Sequence, residues 1–99
     1  MTVTKFGYEL NYTTEFIDLR PYLPPKIQKF WKIQFPNSYG ASIVGGGPGT
    51  YGDGVKTFEV MILYKGEPCY DTPITNDVLG YQSEDEVHDI LKQIENLTE

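Results

Sequence analysis

The sequence predicts an α+β domain: a three- to four-stranded antiparallel sheet with a C-terminal amphipathic helix packed on one face. Three observations carry this. A capping box followed by a helical apolar stripe closes the chain. A ten-residue segment in its middle alternates with strand period. Turn residues, rich in Gly and Pro, separate the remaining apolar runs.

Taken in chain order, Phe6, Tyr8, Leu10 and Tyr12 alternate as a strand does. The next residues, Thr14-Glu15-Phe16-Ile17-Asp18-Leu19, fit the opening of a helix capped by Thr13 or Thr14, ended by Pro21, Pro24 and Pro25. Trp31-Lys32-Ile33-Gln34-Phe35 has strand period, and Pro36-Asn37-Ser38 is turn material. Lys26 to Lys32 also fits a helical turn with Pro25 in its first turn, so a helical turn leading into a strand is open. Tyr39 to Val44 is the partner strand. Gly45 to Gly54, G-G-G-P-G-T-Y-G-D-G, reads as a long hairpin loop.

In Lys56–Lys65, Phe58, Val60, Ile62 and Tyr64 share one strand face and Met61 and Leu63 the other, which marks a central strand. Lys65-Gly66-Glu67 makes the turn, with Gly66 free to take positive φ. Pro68 starts a return strand running from Cys69 to Ile74, at an edge because of Pro73. In Ser83-Glu84-Asp85-Glu86 the serine and the glutamate three residues later can each satisfy the other's free backbone N–H. Val87, Ile90, Leu91 and Ile94 follow at i, i+3, i+4 and i+7, which gives a helix from about Glu84 to Asn96.

Ninety-nine residues make one domain, 1–99, with a modest core. Eight tyrosines and five phenylalanines suit such a core, because each ring buries much area; they also suit an aromatic binding face. Cys69 is the single cysteine and cannot form an internal disulfide. The N-terminus has no apolar signal region, and the longest apolar run, Val60 to Tyr64, is too short to span a bilayer. The expectation is a cytoplasmic protein that binds no membrane. Residues 1–40 carry five Lys/Arg against three Asp/Glu and residues 41–99 three against eleven, so the net charge of −6 divides into +2 and −8. Phosphate backbones repel such a chain, which disfavours direct nucleic-acid binding and favours a partner with a basic surface.

Gly47, Gly49 and Gly52 match G-x-G-x-x-G formally. That fingerprint has to open a helix to meet a pyrophosphate, whereas here a strand follows. The loop can equally present Tyr51 and Asp53 to a partner. His88 is the one histidine and has no second ligand at metal spacing; a Cys69–His88 nucleophilic pair lacks any catalytic context. No metal and no cofactor are expected. Glu84, Asp85 and Glu86 suit the start of a helix. The segment Asp71-Thr72-Pro73-Ile74-Thr75-Asn76-Asp77-Val78-Leu79-Gly80-Tyr81 can place Asp71, Asp77 and Tyr81 beside those acids as one acidic and aromatic face.

The strings S-Y-G-A-S-I-V, F-E-V-M-I-L, C-Y-D-T-P-I-T-N-D-V-L-G-Y and E-V-x-x-I-L-x-x-I resemble a group of small proteins encoded by phages and prophages of Gram-positive bacteria. The resemblance covers about Tyr39 to Leu97 and brings no catalytic motif with it. It implies a phage accessory role in the host cell. The leading expectation is therefore a non-catalytic inhibitor of a host defence or nucleic-acid-directed protein. Its contacts would be Tyr51, Asp53, Asp71, Asp77, Tyr81, Glu84, Asp85 and Glu86. The alternatives are a ligand- or nucleotide-binding protein using Gly45–Gly54, and a self-associating assembly factor.

Overall fold

Alternating side chains make the two longest strands. β2 (Tyr8–Ile17) and β3 (Lys26–Gln34) pair antiparallel from Asn11↔Lys32 out to Ile17↔Lys26. Tyr12, Trp31 and their period-2 neighbours turn to one face. In this computed structural model the described residues are 1–18, 20–47, 50–75 and 77–98. Around that hairpin lie β1 (Thr2–Lys5), β4 (Tyr39–Gly45), β5 (Phe58–Tyr64), β6 (Glu67–Pro68) and β7 (Leu79–Gln82), followed by α1 (Glu84–Glu95). The sheet order is β1-β2-β3-β4-β5-β6, with β7 also on β5 and every pairing antiparallel.

The sheet therefore has seven strands among the described residues, not three or four. The added ones are short or sit where propensity is ambiguous. Thr14 to Ile17 extend β2 instead of opening a helix, because β3 supplies a continuous ladder opposite them. Leu19 of that expected helix lies outside the described residues. Lys26 to Lys32 is strand throughout. The expected return strand from Cys69 to Ile74 is only Glu67–Pro68, after which Cys69 donates its N–H to Ile62 at 2.9 Å. The chain then leaves the sheet and comes back as β7 on the same edge of β5. β6 and β7 are thus two pieces of one return strand, interrupted after Cys69.

Two hairpins close through tight two-residue turns, Phe6-Gly7 (φ 57° and 80°) and Lys65-Gly66 (φ 52° and 83°), the positive pair that fits sheet twist. Phe6 occupies a position that favours Asn or Gly because its ring plugs the core. It packs edge-on to Trp31 and Phe58, with centroids at 5.7 and 4.9 Å. α1 begins with the capping box as predicted: Glu86 N–H donates to Ser83 Oγ (3.2 Å) and Ser83 N–H to Glu86 Oε1 (2.9 Å). Val87, Ile90, Leu91 and Ile94 are buried against Ala41, Ile43, Phe58, Val60 and Ile62. Burying these four side chains contributes on the order of 6–10 kcal/mol before conformational entropy is charged.

Helix and sheet do not end together. β1 covers β2 only as far as Asn11, plus one bond from Tyr12 N–H to the Met1 carbonyl at 2.6 Å. β4 covers β3 only from Lys29 to Gln34. Residues 13–17 and 26–28 consequently continue as a two-stranded ribbon along a molecule whose longest dimension is 47 Å.

Candidate functional site

The apolar alternation of the hairpin runs on past the core. Tyr12 pairs with Trp31, Thr14 with Lys29, and Phe16 with Ile27. By the two-residue period all six lie on the face that α1 covers further along the sheet. Trp31 is buried, whereas Phe16 is 64% and Ile27 56% exposed. Tyr22 (89% exposed) and Leu23 lie in the β2–β3 connection. The β4–β5 connection, β7 and the start of β3 come to the same end of the sheet, because β3, β4 and β5 are consecutive antiparallel neighbours. Of the nine exposed large hydrophobic residues among those described, seven are therefore at this end: Phe16, Tyr22, Leu23, Ile27, Tyr51, Val55 and Tyr81.

The glycine loop forms the second wall. Gly46 N–H donates to the Gly52 carbonyl (3.1 Å), and Gly54 N–H to the Thr57 carbonyl (2.9 Å). Asp53 ties the turn together: one carboxylate oxygen accepts from the N–H groups of Val55, Lys56 and Thr57 at 2.8, 2.8 and 3.0 Å. Those bonds, from Thr57 first and then Val55 and Lys56, lower its pKa to about 2. The loop is braced on β3 by Gln28 Nε2 to Thr50 Oγ1 (3.3 Å) and Lys29 Nζ to the Gly54 carbonyl (3.4 Å). Pro48 and Gly49, the latter part of the formal glycine motif, lie outside the described residues.

Between loop and ribbon is an open cleft of about 530 Å³, with Lys26, Ile27 and Lys29 on one side, Thr50 and Asp53 on the other, and Tyr81 at its margin. Tyr51 and Tyr81 stand together, with ring centroids at 5.9 Å and the Tyr81 N–H donating to the Tyr51 carbonyl at 2.7 Å. Gly80 permits this approach, since a Cβ there would meet the Tyr51 Cβ at 2.6 Å. Tyr81 has φ 54° at an irregularity between β5 and β7, a conformation that costs an L residue roughly 1–2 kcal/mol. Glu59, whose carboxylate meets the Tyr51 backbone, has its pKa raised by burial, with that hydrogen bond opposing.

Of the eight residues marked in the sequence, the fold brings Tyr51, Asp53 and Tyr81 to this end. It uses several of the acids internally. Glu84 pairs with Lys5 Nζ at 2.7 Å, and Glu86 closes the capping box. Asp77 accepts from the Val78 N–H at 2.7 Å in its own turn. Asp71 and Asp85 remain exposed without a hydrogen bond among the described residues, and Asn76 of the same segment lies outside them. Phe16, Tyr22, Leu23, Ile27, Val55 and the two cleft lysines were not marked. Their signal was an alternation that resumes beyond the polar pair Thr14/Lys29, readable only once the two strands are known to face each other.

His88 is a strut. Its Nδ1 donates to the Phe6 carbonyl at 2.7 Å, holding α1 on the β1–β2 turn. Among the described residues no three His, Cys, Asp or Glu side chains are grouped to hold a metal, and no helix is long and apolar enough to cross a membrane. Compared with known protein families, curated proteins and solved structures, the chain matches none.

Proposed function

We propose that this protein is a non-catalytic protein-binding module whose contact surface is the apolar and aromatic end of the sheet. The observation that supports this reading is the gathering of seven exposed large hydrophobic residues at one end of a 99-residue chain. A contiguous exposed apolar area is costly in water and marks a surface that another protein covers. Rigid Tyr and Phe anchors within a polar rim have the composition of an interface centre. Asp71 and Asp85 leave negative charge free elsewhere on the surface, which favours a basic partner and speeds its approach. With the resemblance to phage-encoded proteins, the reading becomes that of an accessory inhibitor acting in the host cytoplasm on a defence or nucleic-acid-directed protein, without direct nucleic-acid contact.

The test is affinity capture from a Gram-positive host lysate with the wild-type chain and with Ile27→Ser and Tyr81→Asn as baits, each washed at low and then high salt. The reading expects one host protein held by the wild type and lost from both variants, with salt weakening but not abolishing retention. Retention that ignores both substitutions removes the apolar end from the interface. Recovery of bait alone, in a defined oligomer, favours the assembly role.

A second reading rests on one observation: Lys26, Lys29 and Thr50 line the glycine-loop cleft. Cation, hydroxyl and glycine backbone together suit an anionic small ligand such as a nucleotide. Thermal stabilisation across a nucleotide panel supports it, and no shift counts against it.

A further inference from the structure

The same ribbon that exposes Phe16 also leaves one backbone edge open. Tyr12 is the last residue of β2 to bond outward, to Met1. In an antiparallel strand the N–H and C=O of a residue point to the same side, and the side alternates. Tyr12, Thr14 and Phe16 thus face away from β3, while Thr13, Glu15 and Ile17 bond to it. The outward groups of Thr14 and Phe16 hold no partner among the described residues, and Thr13, Thr14, Glu15 and Phe16 are all exposed. The edge of β3 on the other side of the ribbon is braced by the glycine loop. An open strand edge with β-favouring side chains is a template for another strand.

We propose that Thr13–Ile17 accepts an extended segment of the partner protein as an added antiparallel strand, one that carries Lys or Arg opposite Glu15. The proposal rests on the binding-module reading and gives its mode. Two features choose the occupant. Thr14 and Phe16 would be the hydrogen-bonded positions of the new pairing, so Glu15 falls at the non-hydrogen-bonded one, where opposed side chains come closest. A cation there is attracted and an anion repelled. A second copy of this chain overlapping all five residues about a two-fold axis would place Glu15 against Glu15, so that pairing is penalised. On the opposite face, apolar residues of the added strand would lie beside Phe16, extending the apolar row that Phe16 makes with Ile27. The occupant therefore alternates basic and apolar residues.

The experiment uses the full chain with capped seven-residue peptides alternating valine with lysine, or valine with glutamate, and reads amide exchange residue by residue by NMR. The lysine peptide is expected to slow exchange at Thr14 and Phe16 several-fold, to leave β5 amides unchanged, and to lose its effect when its backbone nitrogens are methylated. The glutamate peptide is expected to do nothing. Glu15→Lys reverses the preference towards the glutamate peptide. Thr14→Pro removes an outward N–H without breaking the β3 ladder and abolishes the protection. Equal response to both peptides, or a Glu15→Lys chain with unaltered preference, overturns the proposal. So does protection that grows with protein concentration in the absence of peptide, since a second copy would then fill the edge. Peptide failure alongside partner capture that still depends on Ile27 and Tyr81 sinks strand addition and leaves the binding-module reading standing.

Discussion

Asn37 Nδ2 lies 2.9 Å from the carbonyl oxygen of Ile94, and the same amide reaches the Leu97 carbonyl at 2.9 Å and that of Glu95 at 3.2 Å. The β3–β4 turn thereby caps the C-terminus of α1 from outside the helix, while Asn37 Oδ1 accepts from the Tyr39 N–H at 3.1 Å. Helix ends leave carbonyls without partners, and these are satisfied by a side chain 57 residues upstream. Asn37→Ala is expected to destabilise by about 1–3 kcal/mol, lowering the melting midpoint by roughly 5–20 °C. Asn37→Asp should be worse at neutral pH, because a carboxylate would face carbonyl oxygens at the negative end of the helix dipole. Thermal unfolding followed by circular dichroism decides between them.

Phe6 offers a sharper contrast with local rules. Its φ of 57° in a two-residue turn favours asparagine, yet its ring fills the space between Trp31 and Phe58. Phe6→Asn is expected to lose about 3–5 kcal/mol, the range for deleting a buried aromatic ring. Trp31, the single tryptophan, reports it: the variant's emission should shift to the red and its midpoint fall. A variant as stable as wild type would show that turn strain, not ring packing, dominates this site.

Two carboxylates predict opposite responses to pH. The folded pKa of Asp53 is lowered to about 2, so its contribution is complete above the unfolded value of 3.8 and is lost as pH falls from there towards 2. The amides of Val55, Lys56 and Thr57 should lose exchange protection in that interval. Asp53→Ala should remove the protection at every pH, and Asp53→Asn should retain much of it without the pH dependence. Glu59 has a folded pKa above 4.5, so the folded state binds more protons and stability falls as pH rises through the interval above that value. Glu59→Gln is accordingly expected to be neutral or stabilising at pH 7 in denaturant titrations.

Tyr81 separates stability from binding. Asparagine adopts positive φ more readily than tyrosine, so Tyr81→Asn should leave stability within about 1 kcal/mol of wild type. A β-branched residue does not share that tolerance, and Tyr81→Val should lower stability by roughly 1–2 kcal/mol. Both remove the ring beside Tyr51. Partner retention lost in both variants while only one is destabilised assigns the ring to binding.

Local rules made the helix legible. Ser83, Glu86 and the Val87/Ile90/Leu91/Ile94 stripe specify its start and buried face within twelve residues, because capping and helical period are short-range effects. The two faces of β5 and the Lys65-Gly66 turn are equally local. The extent of the sheet was decided elsewhere. Thr14 to Ile17 reads as a helix start until β3 is laid against it, and hydrogen bonds to a strand about ten residues away override the weak preference of a Thr-Glu sequence. Cys69 to Ile74 has strand composition, yet β5 pairs with the chain only at its two ends.

The site divides in the same way. Composition and charge showed an aromatic, acidic chain, and the sequence grouped Tyr81 with Asp71, Asp77 and the acids at the helix start; the fold sets Tyr81 beside Tyr51 and across the cleft margin from Asp53. Folding then engaged the Asp53, Glu84 and Glu86 carboxylates, which stay exposed, with the molecule's own N–H groups and with Lys5. It also left Phe16 and Ile27 outside, although their pattern is that of core residues. Whether an alternating apolar residue is buried depends on how far the helix reaches along the sheet. Towards Phe16 that reach stops where α1 begins, at Ser83 directly after β7 pairs with the start of β5 and with Glu84 on Lys5, a tertiary fact with no counterpart in the sequence near Phe16.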